Sequence, residues 1–509
     1  MQLEDFLKNQ NYFSLGHLPT EKAHPKTLDL SNQAKVNLKG AIQTLQGIDR
    51  DALSVAKAET PLIQELAQQI QMTFENGKRV YLSGCGATGR LALALESLHR
   101  KLNRGLTLEN QVQALMAGGD FALVKSVENF EDYPEFGIRH LYDLGFSDGD
   151  LLIAITEGGE TPYVIGTVNG ALARSSQDPW FVFCNPKEIL VQTVPRAREV
   201  IENPRVRSLC LNTGPMALSG STRLQAASVQ MLAVGAAFFG EKDKIPSFIE
   251  NLLSEYSKLD LASFLMPIIE WENARYKNNE AVVYESDAYP IAVLTDTTER
   301  SPTFSLTPFE KSNAKTGPYS WCYLSIPDAQ NAQSAWLKIL NRRPLGLEWL
   351  ELQGRVDQKS ILEFDFGKDA KLARKMRLTP KIQADLSLHR KPQSIEFKTD
   401  SISSSLTTPL LAHPLSEQLL IKMILNTLSL LVMGRLDRFE GNVMTWVRAN
   451  NGKLMDRTLR YLEHLIEQRG LPMLPREELI RITFAENATL GSDEALILKV
   501  LESLTARKD

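Results

Sequence analysis

Two rhythms of apolar positions run along this chain. From Ser31 to Ile48 and from Thr60 to Glu75, apolar residues recur every three or four positions, which predicts amphipathic helices; up to about Asp29 polar turn residues dominate. Short apolar runs then alternate with helical stretches. Val80–Ser83, Gln113–Met116, Leu151–Thr156, Trp180–Cys184 and Ser208–Leu211 predict strands, and Leu91–Leu102, Pro162–Ala173 and Thr222–Phe239 predict helices between them. Leu151–Thr156 is apolar throughout, as expected of a strand buried on both faces of a parallel sheet. The alternation predicts a doubly wound α/β domain.

Helical stretches over Pro246–Lys258 and Leu261–Lys277 lead into a second series. There Pro290–Leu294 predicts the opening strand, followed by Trp321–Ile326, Leu347–Leu352 and Ile361–Phe366, then a long apolar helix over Pro414–Met433. The chain from about Asn442 is helical, with a small amphipathic unit at Asp493–Leu504. Both halves share one coarse plan, so the expectation is a duplicated domain. The expected units are an N-terminal arm and helix (1–45), a first α/β domain (46–245), bridging helices (246–285), a divergent second domain (286–440) and a helical cap (441–509).

Composition narrows the function classes. The 509 residues exceed one ordinary core. A net charge of -4, with 43 % hydrophobic and 23 % charged residues, describes a globular protein and gives no clustered basic excess for nucleic acid. Lys and Arg gather between Lys368 and Lys398, which reads as a solvated face. Cys85, Cys184, Cys210 and Cys322 lack metal-site spacing, so no metal or cofactor is expected, and a reducing compartment fits. The N-terminus lacks the pattern of a signal peptide, and the apolar stretches near Met231–Phe239 and Leu425–Met433 are about half a membrane span. These features predict a cytoplasmic protein that binds no membrane.

The candidate chemistry lies in loops after strands. Gly84-Cys-Gly86-Ala87-Thr88-Gly89-Arg90 follows a strand and opens a helix. Its glycines let backbone N–H groups approach a ligand, and the helix start favours an anion. The same letters satisfy GxGxxG, the dinucleotide fingerprint. A nicotinamide enzyme needs an acidic residue ending the second strand; Asp120 is near, but Gly118 and Gly119 intervene and the spacing is too long. Two further hydroxyl-rich turns, Thr156-Glu-Gly-Gly-Glu-Thr161 and Ser219-Gly-Ser221-Thr222-Arg223, fall where this fold gathers loops at the carboxyl ends of strands. Together they suit one compact phosphate.

At these loops the sequence resembles the sugar isomerase (SIS) family, in the branch joining bacterial N-acetylmuramic acid 6-phosphate etherases and the animal glucokinase regulatory protein. The resemblance rests on TEKAHPKTLDL from Thr20, GCGATGRL from Gly84, MAGGDFALVKSVENFED from Met116, ETPYVIG from Glu160, LSGSTRL from Leu218, LNTLSLLVMGRLDRFEGNVM from Leu425 and NNGKLMDR from Asn450. It covers residues 20–240 and 415–460. It implies two flavodoxin-like SIS domains with parallel sheets and a small C-terminal helical cap, the arrangement of the regulatory protein. The second half then stands where a second subunit stands in the etherase dimer.

The resemblance also implies the site. Gly86, Ala87, Thr88, Gly89, Thr156, Ser219, Ser221, Thr222, Arg223, Lys453 and Arg457 would hold a hexose or amino-sugar 6-phosphate. Etherase chemistry, elimination of lactate and addition of water, uses two glutamates as acid and base. Glu131 occupies one of these positions. The other, on the helix after the Gly loop, is Leu98, and Glu96 points to another face. In the second half Glu310 is the expected replacement, reaching Glu131 across the domains. Thr156 matches the regulator's serine; Gly158 stands at the etherase's serine, and Met216 and Gln225 replace its usual Glu and Lys. The expectation is therefore a sugar-phosphate-binding, regulator-like protein, with a sugar kinase as the partner the family implies. The alternative is an etherase using Glu131 and Glu310. A third reading, an aldose–ketose phosphate isomerase, would need a similar base.

Overall fold

The computed structural model describes residues 2–127, 130–378, 383–491 and 494–506. Its first sheet consists of β1 (Val80–Gly84), β2 (Val112–Met116), β3 (Leu151–Ile155), β4 (Trp180–Phe183) and β5 (Arg207–Cys210). All pairings are parallel and the order is β2-β1-β3-β4-β5, with Val80 opposite both Val112 and Leu151. Both β1 and β3 are buried along their whole length. Chain direction across the sheet reverses between β1 and β3. Ligands in open α/β sheets bind outside the carboxyl ends of strands at such a switch point. Here the loops after Gly84 and Ile155 lie side by side.

The second sheet is built differently. β6 (Ala281–Glu285) is flanked by β7 (Cys322–Ser325) and β8 (Gln383–Arg390) in parallel. β9 (Ser394–Lys398) and β10 (Ser403–Thr407) then extend the edge as an antiparallel meander, giving the order β10-β9-β8-β6-β7. The fold is thus α/β with two tandem sheets, and the second carries antiparallel strands in the region read as a solvated basic face. Their inward residues, such as Leu386, Leu388, Ile395 and Phe397, are buried, while intervening positions are polar.

Several expectations are corrected. Pro290–Leu294 is no strand; it is the first turn and a half of the helix Pro290–Phe304. Proline at the first helical position lacks an N–H that would have no partner there anyway, so the apolar run after it continues as helix. Leu347–Leu352 is loop with a terminal 3-10 turn, and Ile361–Phe366 is the end of a short helix and a loop. The segment Ser31–Ile48 breaks at Asn37, whose side chain accepts from Gly40 N and caps a new helix, Leu38–Ala58. The N-terminal segment contains a helix, Leu3–Phe13. Asp493 lies outside the described residues; the last helix runs Leu496–Ala506.

The helices Gln225–Phe239 and Pro414–Arg435 are apolar on nearly all faces because they pack on each other and are surrounded by further helices. The latter is long and apolar enough to cross a bilayer, but 83 % of its most apolar stretch is buried inside the protein. Gly235 lets the two helices approach: a Cβ there would sit 2.4 Å from Leu415 Cδ1. Between them and the second sheet, Arg300 is fully buried and paired with Glu272 at 2.7 Å and Asp296 at 3.0 Å. The N-terminal arm crosses back to the first domain, where Ala23 bridges Met216 and His24 N donates to Met216 O. That bridge holds Glu21 beside the switch point.

Candidate functional site

The loop after β1 turns on Gly86, at φ 55° and ψ -121°, where an added Cβ would meet nothing within 4 Å. Its open side faces the switch point, and the helix Ala87–Leu102 starts there. Thr88 is fully buried; its hydroxyl accepts from Cys85 N at 3.0 Å and donates to Cys85 O at 2.9 Å. The expected ligand donor therefore fastens its own loop. Gly89 packs against β2, where a Cβ would lie 2.4 Å from Met116 Cγ. Asp120, the residue the dinucleotide reading needs, is bound to Arg342 and Leu345 N.

In the loop after β3, Thr156 and Thr161 share a 3.1 Å hydrogen bond between hydroxyls. The two glutamates between them dominate the electrostatics. Glu160 is buried and lies 2.5 Å from Lys453 Nζ and 2.7 Å from Arg196 Nη2. Burial alone would raise its pKa, but Lys453 and Arg196 overcome this and hold it at about 2. Glu157 is buried without a comparable partner, and burial pushes its carboxyl up to about 7 despite the hydrogen bond from Thr222.

The loop before Gln225–Phe239 is tied down by other elements. Ser219 N donates to Asn442 O and its hydroxyl to Glu21 O. Ser221 is buried, with its N–H on Leu218 O. Arg223 turns away to Asp296 at 3.0 Å and Ser429. Of the expected phosphate ligands, the side chains of Thr88, Ser219 and Arg223 are bonded within the protein, and Gly86, Ala87 and Thr156 belong to the segments that follow β1 and β3.

The helix Gly452–Gln468 reaches the site from the C-terminal end. Asn451 caps it by accepting from Leu454 N, and its amide donates to Glu131 Oε1 at 3.1 Å. Glu131 also accepts from Cys85 Sγ at 3.5 Å. Beside it Asp132 is raised to about 6, by burial first and by Glu131 second. Lys453 joins Glu160 to the cap, as Asn451 joins Glu131, and Arg457 forms a two-pronged pair with Glu21 at 2.6 and 2.9 Å. Arg460 adds a third contact to Glu21 at 2.8 Å. Burial would raise Glu21, but the two arginines hold it at about 2. The structure places Glu131 against Cys85 of the Gly loop and against Asn451, two residues before Lys453, and Arg457 one helical turn further on.

Glu310 is not among them. It lies in the loop after Pro290–Phe304, buried against Arg374 at 2.6 Å and accepting from Ser320 N and Oγ. The misplaced strand explains the wrong residue. Leu98 lies fourteen residues beyond Gly84, the end of β1; the residue fourteen beyond Glu285, the end of β6, is Glu299. Glu299 projects across the domain boundary, with its carboxylate 2.6 Å from Arg90 on the Gly-loop helix. A cavity of about 40 Å³ lies there, lined by Ala87, Arg90, Arg223, Asp296, Glu299 and Lys422 among others. The sequence reading also missed Glu21, Glu157, Glu160, Asn451 and Arg196. All but Arg196 lie in or beside the stretches that carry the resemblance, but what they pair with is remote in sequence.

Residues 62–172 match the family described as the glucokinase regulatory protein N-terminal SIS domain. The chain is 31 % identical over 251 residues to N-acetylmuramic acid 6-phosphate etherase of Crocosphaera subtropica, covering 49 % of this chain and 76 % of that protein. It is 29 % identical over 240 residues to the protein of the same description from Vibrio atlanticus, covering 47 % and 73 %. Among solved structures it is similar to the C-terminal domain of glucosamine-fructose-6-phosphate aminotransferase from Francisella tularensis, at 10 % identity and a TM-score of 0.35, covering 77 % of this chain and 95 % of that one.

Proposed function

The chain belongs to the branch of the SIS-domain family that joins the N-acetylmuramic acid 6-phosphate etherases with the glucokinase regulatory protein, and on that premise we propose that it is a sugar-phosphate-binding protein of regulatory type. The observation that carries this reading is convergence. Glu131 and the Gly86 loop come from the first domain and Asn451 and Lys453 from the cap, and these meet beside the loop after β3, while Glu299 of the second domain reaches Arg90 on the Gly-loop helix. A ligand touching all three segments favours one arrangement of them by its differential affinity. Calorimetric titration with hexose and amino-sugar 6-phosphates tests it. Saturable binding that Asn451→Ala weakens supports the reading; no binding of any sugar phosphate removes it.

One observation favours an etherase as the second reading. Glu299 supplies a carboxylate from the neighbouring domain, on the helix after β6 and at the same distance from its strand as Leu98 from β1. With Glu131 it would give the site the acid and base that elimination of lactate requires. Incubation with N-acetylmuramic acid 6-phosphate, followed for lactate, tests this. Release that falls in both Glu131→Gln and Glu299→Gln supports an etherase; no release above those variants rules it out.

A further inference from the structure

The described cations around the loop after β3 are already occupied by carboxylates. Arg457 and Arg460 hold Glu21. Lys453 and Arg196 hold Glu160, and Arg196 also donates through Nε to the Glu160 carbonyl at 2.6 Å. Glu160 belongs to the loop itself, between Gly159 and Thr161. Its side chain folds back over the loop's own glycines: a Cβ on Gly158 would lie 3.1 Å from Glu160 Cγ and 3.4 Å from its Oε1. The bare backbone that a ligand's anionic group would approach is therefore covered by an anion already present in the chain.

The surrounding space agrees. Between Glu131, Asp132, Glu160, Lys453 and the arm residues Tyr12 and Phe13 the cavity is narrow, with about 10 Å³ open to the centre of a water-sized sphere, room for about one water. Tyr12 closes this side by lying under the Arg196 guanidinium, 4.3 Å from its ring centroid. A phosphate entering with Glu160 in place would find no described cation facing the loop that is not already paired, and a carboxylate at contact distance. Like charges so close in a site shielded from water repel strongly. A phosphate would compete with Glu160 for Lys453.

We propose that Glu160 is a built-in competitor for the ligand's phosphate, occupying Lys453 and Arg196 in the empty site and setting how strongly phosphorylated sugars must bind to open it. This rests on the sugar-phosphate reading of the same site. It makes Glu160 the residue that sets selectivity between phosphorylated and unphosphorylated sugars: the first must displace it, the second need not. The exchange is one anion for another on the same two cations, so these stay paired, while the displaced Glu160 carboxylate, buried in the empty site, has to turn out to water.

Calorimetric titration of the full chain with inorganic phosphate, N-acetylglucosamine 6-phosphate and uncharged N-acetylglucosamine tests the proposal. Glu160→Gln should bind the two phosphate ligands at least tenfold more tightly than the wild type and leave N-acetylglucosamine unchanged. Adding Lys453→Gln should abolish that gain. Glu160→Asp keeps the charge but retracts it by one methylene and should give a smaller gain, which covers the case of a poorly folded glutamine variant. If the wild type binds the phosphates and neither variant binds them more tightly, the competitor role is overturned and the sugar-phosphate reading stands. If no protein binds either phosphate ligand, both fall.

Discussion

Arg90 of the first domain, which is buried, and Glu299 of the second, which is partly exposed, form a cross-domain pair 2.6 Å apart on two helices that pack together. Arg90 is 4 % exposed and also donates to Ala122 O at 2.8 Å, so it cannot turn to water if its partner is removed. Breaking such a pair leaves a buried charge without compensation. Glu299→Gln should therefore destabilise the protein by about 3 kcal/mol in urea unfolding. The double variant Arg90→Met with Glu299→Gln should recover part of that loss. Strict additivity of the two single changes would show that the residues do not interact.

Glu310 separates the structural account from the sequence expectation. It satisfies Arg374, which is 1 % exposed, together with the Ser320 N–H and hydroxyl. Glu310→Gln should cost about 3 kcal/mol of stability. Affinity for a sugar phosphate should stay within about twofold, since the side chain lies inside the second domain. A selective loss of binding with unchanged melting temperature would return Glu310 to the site.

The pH dependence of stability should report Glu157. Its carboxyl titrates at about 7 in the folded chain, against 4.5 for an exposed one. Between those values the folded chain retains a proton that the unfolded chain releases, so this group lowers stability as pH rises from 4.5 to 7. Glu157→Gln should therefore stabilise the protein at pH 8, by about 2–3 kcal/mol, and have little effect below pH 4.5. Urea unfolding of both proteins at pH 4.5 and pH 8 checks this; an equal difference at the two pH values would contradict it.

The first domain was legible because its central strands β1, β3 and β4 are short, apolar and buried along their whole length, so each apolar run marks one strand. The second was not, for local reasons. Pro290-Ile-Ala-Val-Leu294 is as apolar as a strand, and nothing within those five residues reveals that Ala281–Glu285 has already filled the sheet position. That displacement carried the glutamate assignment from Glu299 to Glu310. Strands β8 to β10 expose one face and carry Ser, Lys and Arg, so their alternation is faint beside the charge of the region. In the site, the Gly86 turn and Lys453 could be anticipated from motifs. The pairing of Lys453 with Glu160 joins residues 293 positions apart, and only the docking of the cap on the first sheet creates it.

The central claim, a sugar-phosphate site where the two domains and the cap meet, is tested most directly by ligand-induced stabilisation in the wild type and in Lys453→Ala. With a hexose or amino-sugar 6-phosphate at a hundred times its dissociation constant, the wild type should gain about 2.7 kcal/mol in unfolding free energy, and Lys453→Ala should lose most of that gain. A wild type that gains nothing from any sugar phosphate, or a Lys453→Ala protein that gains as much, would contradict it.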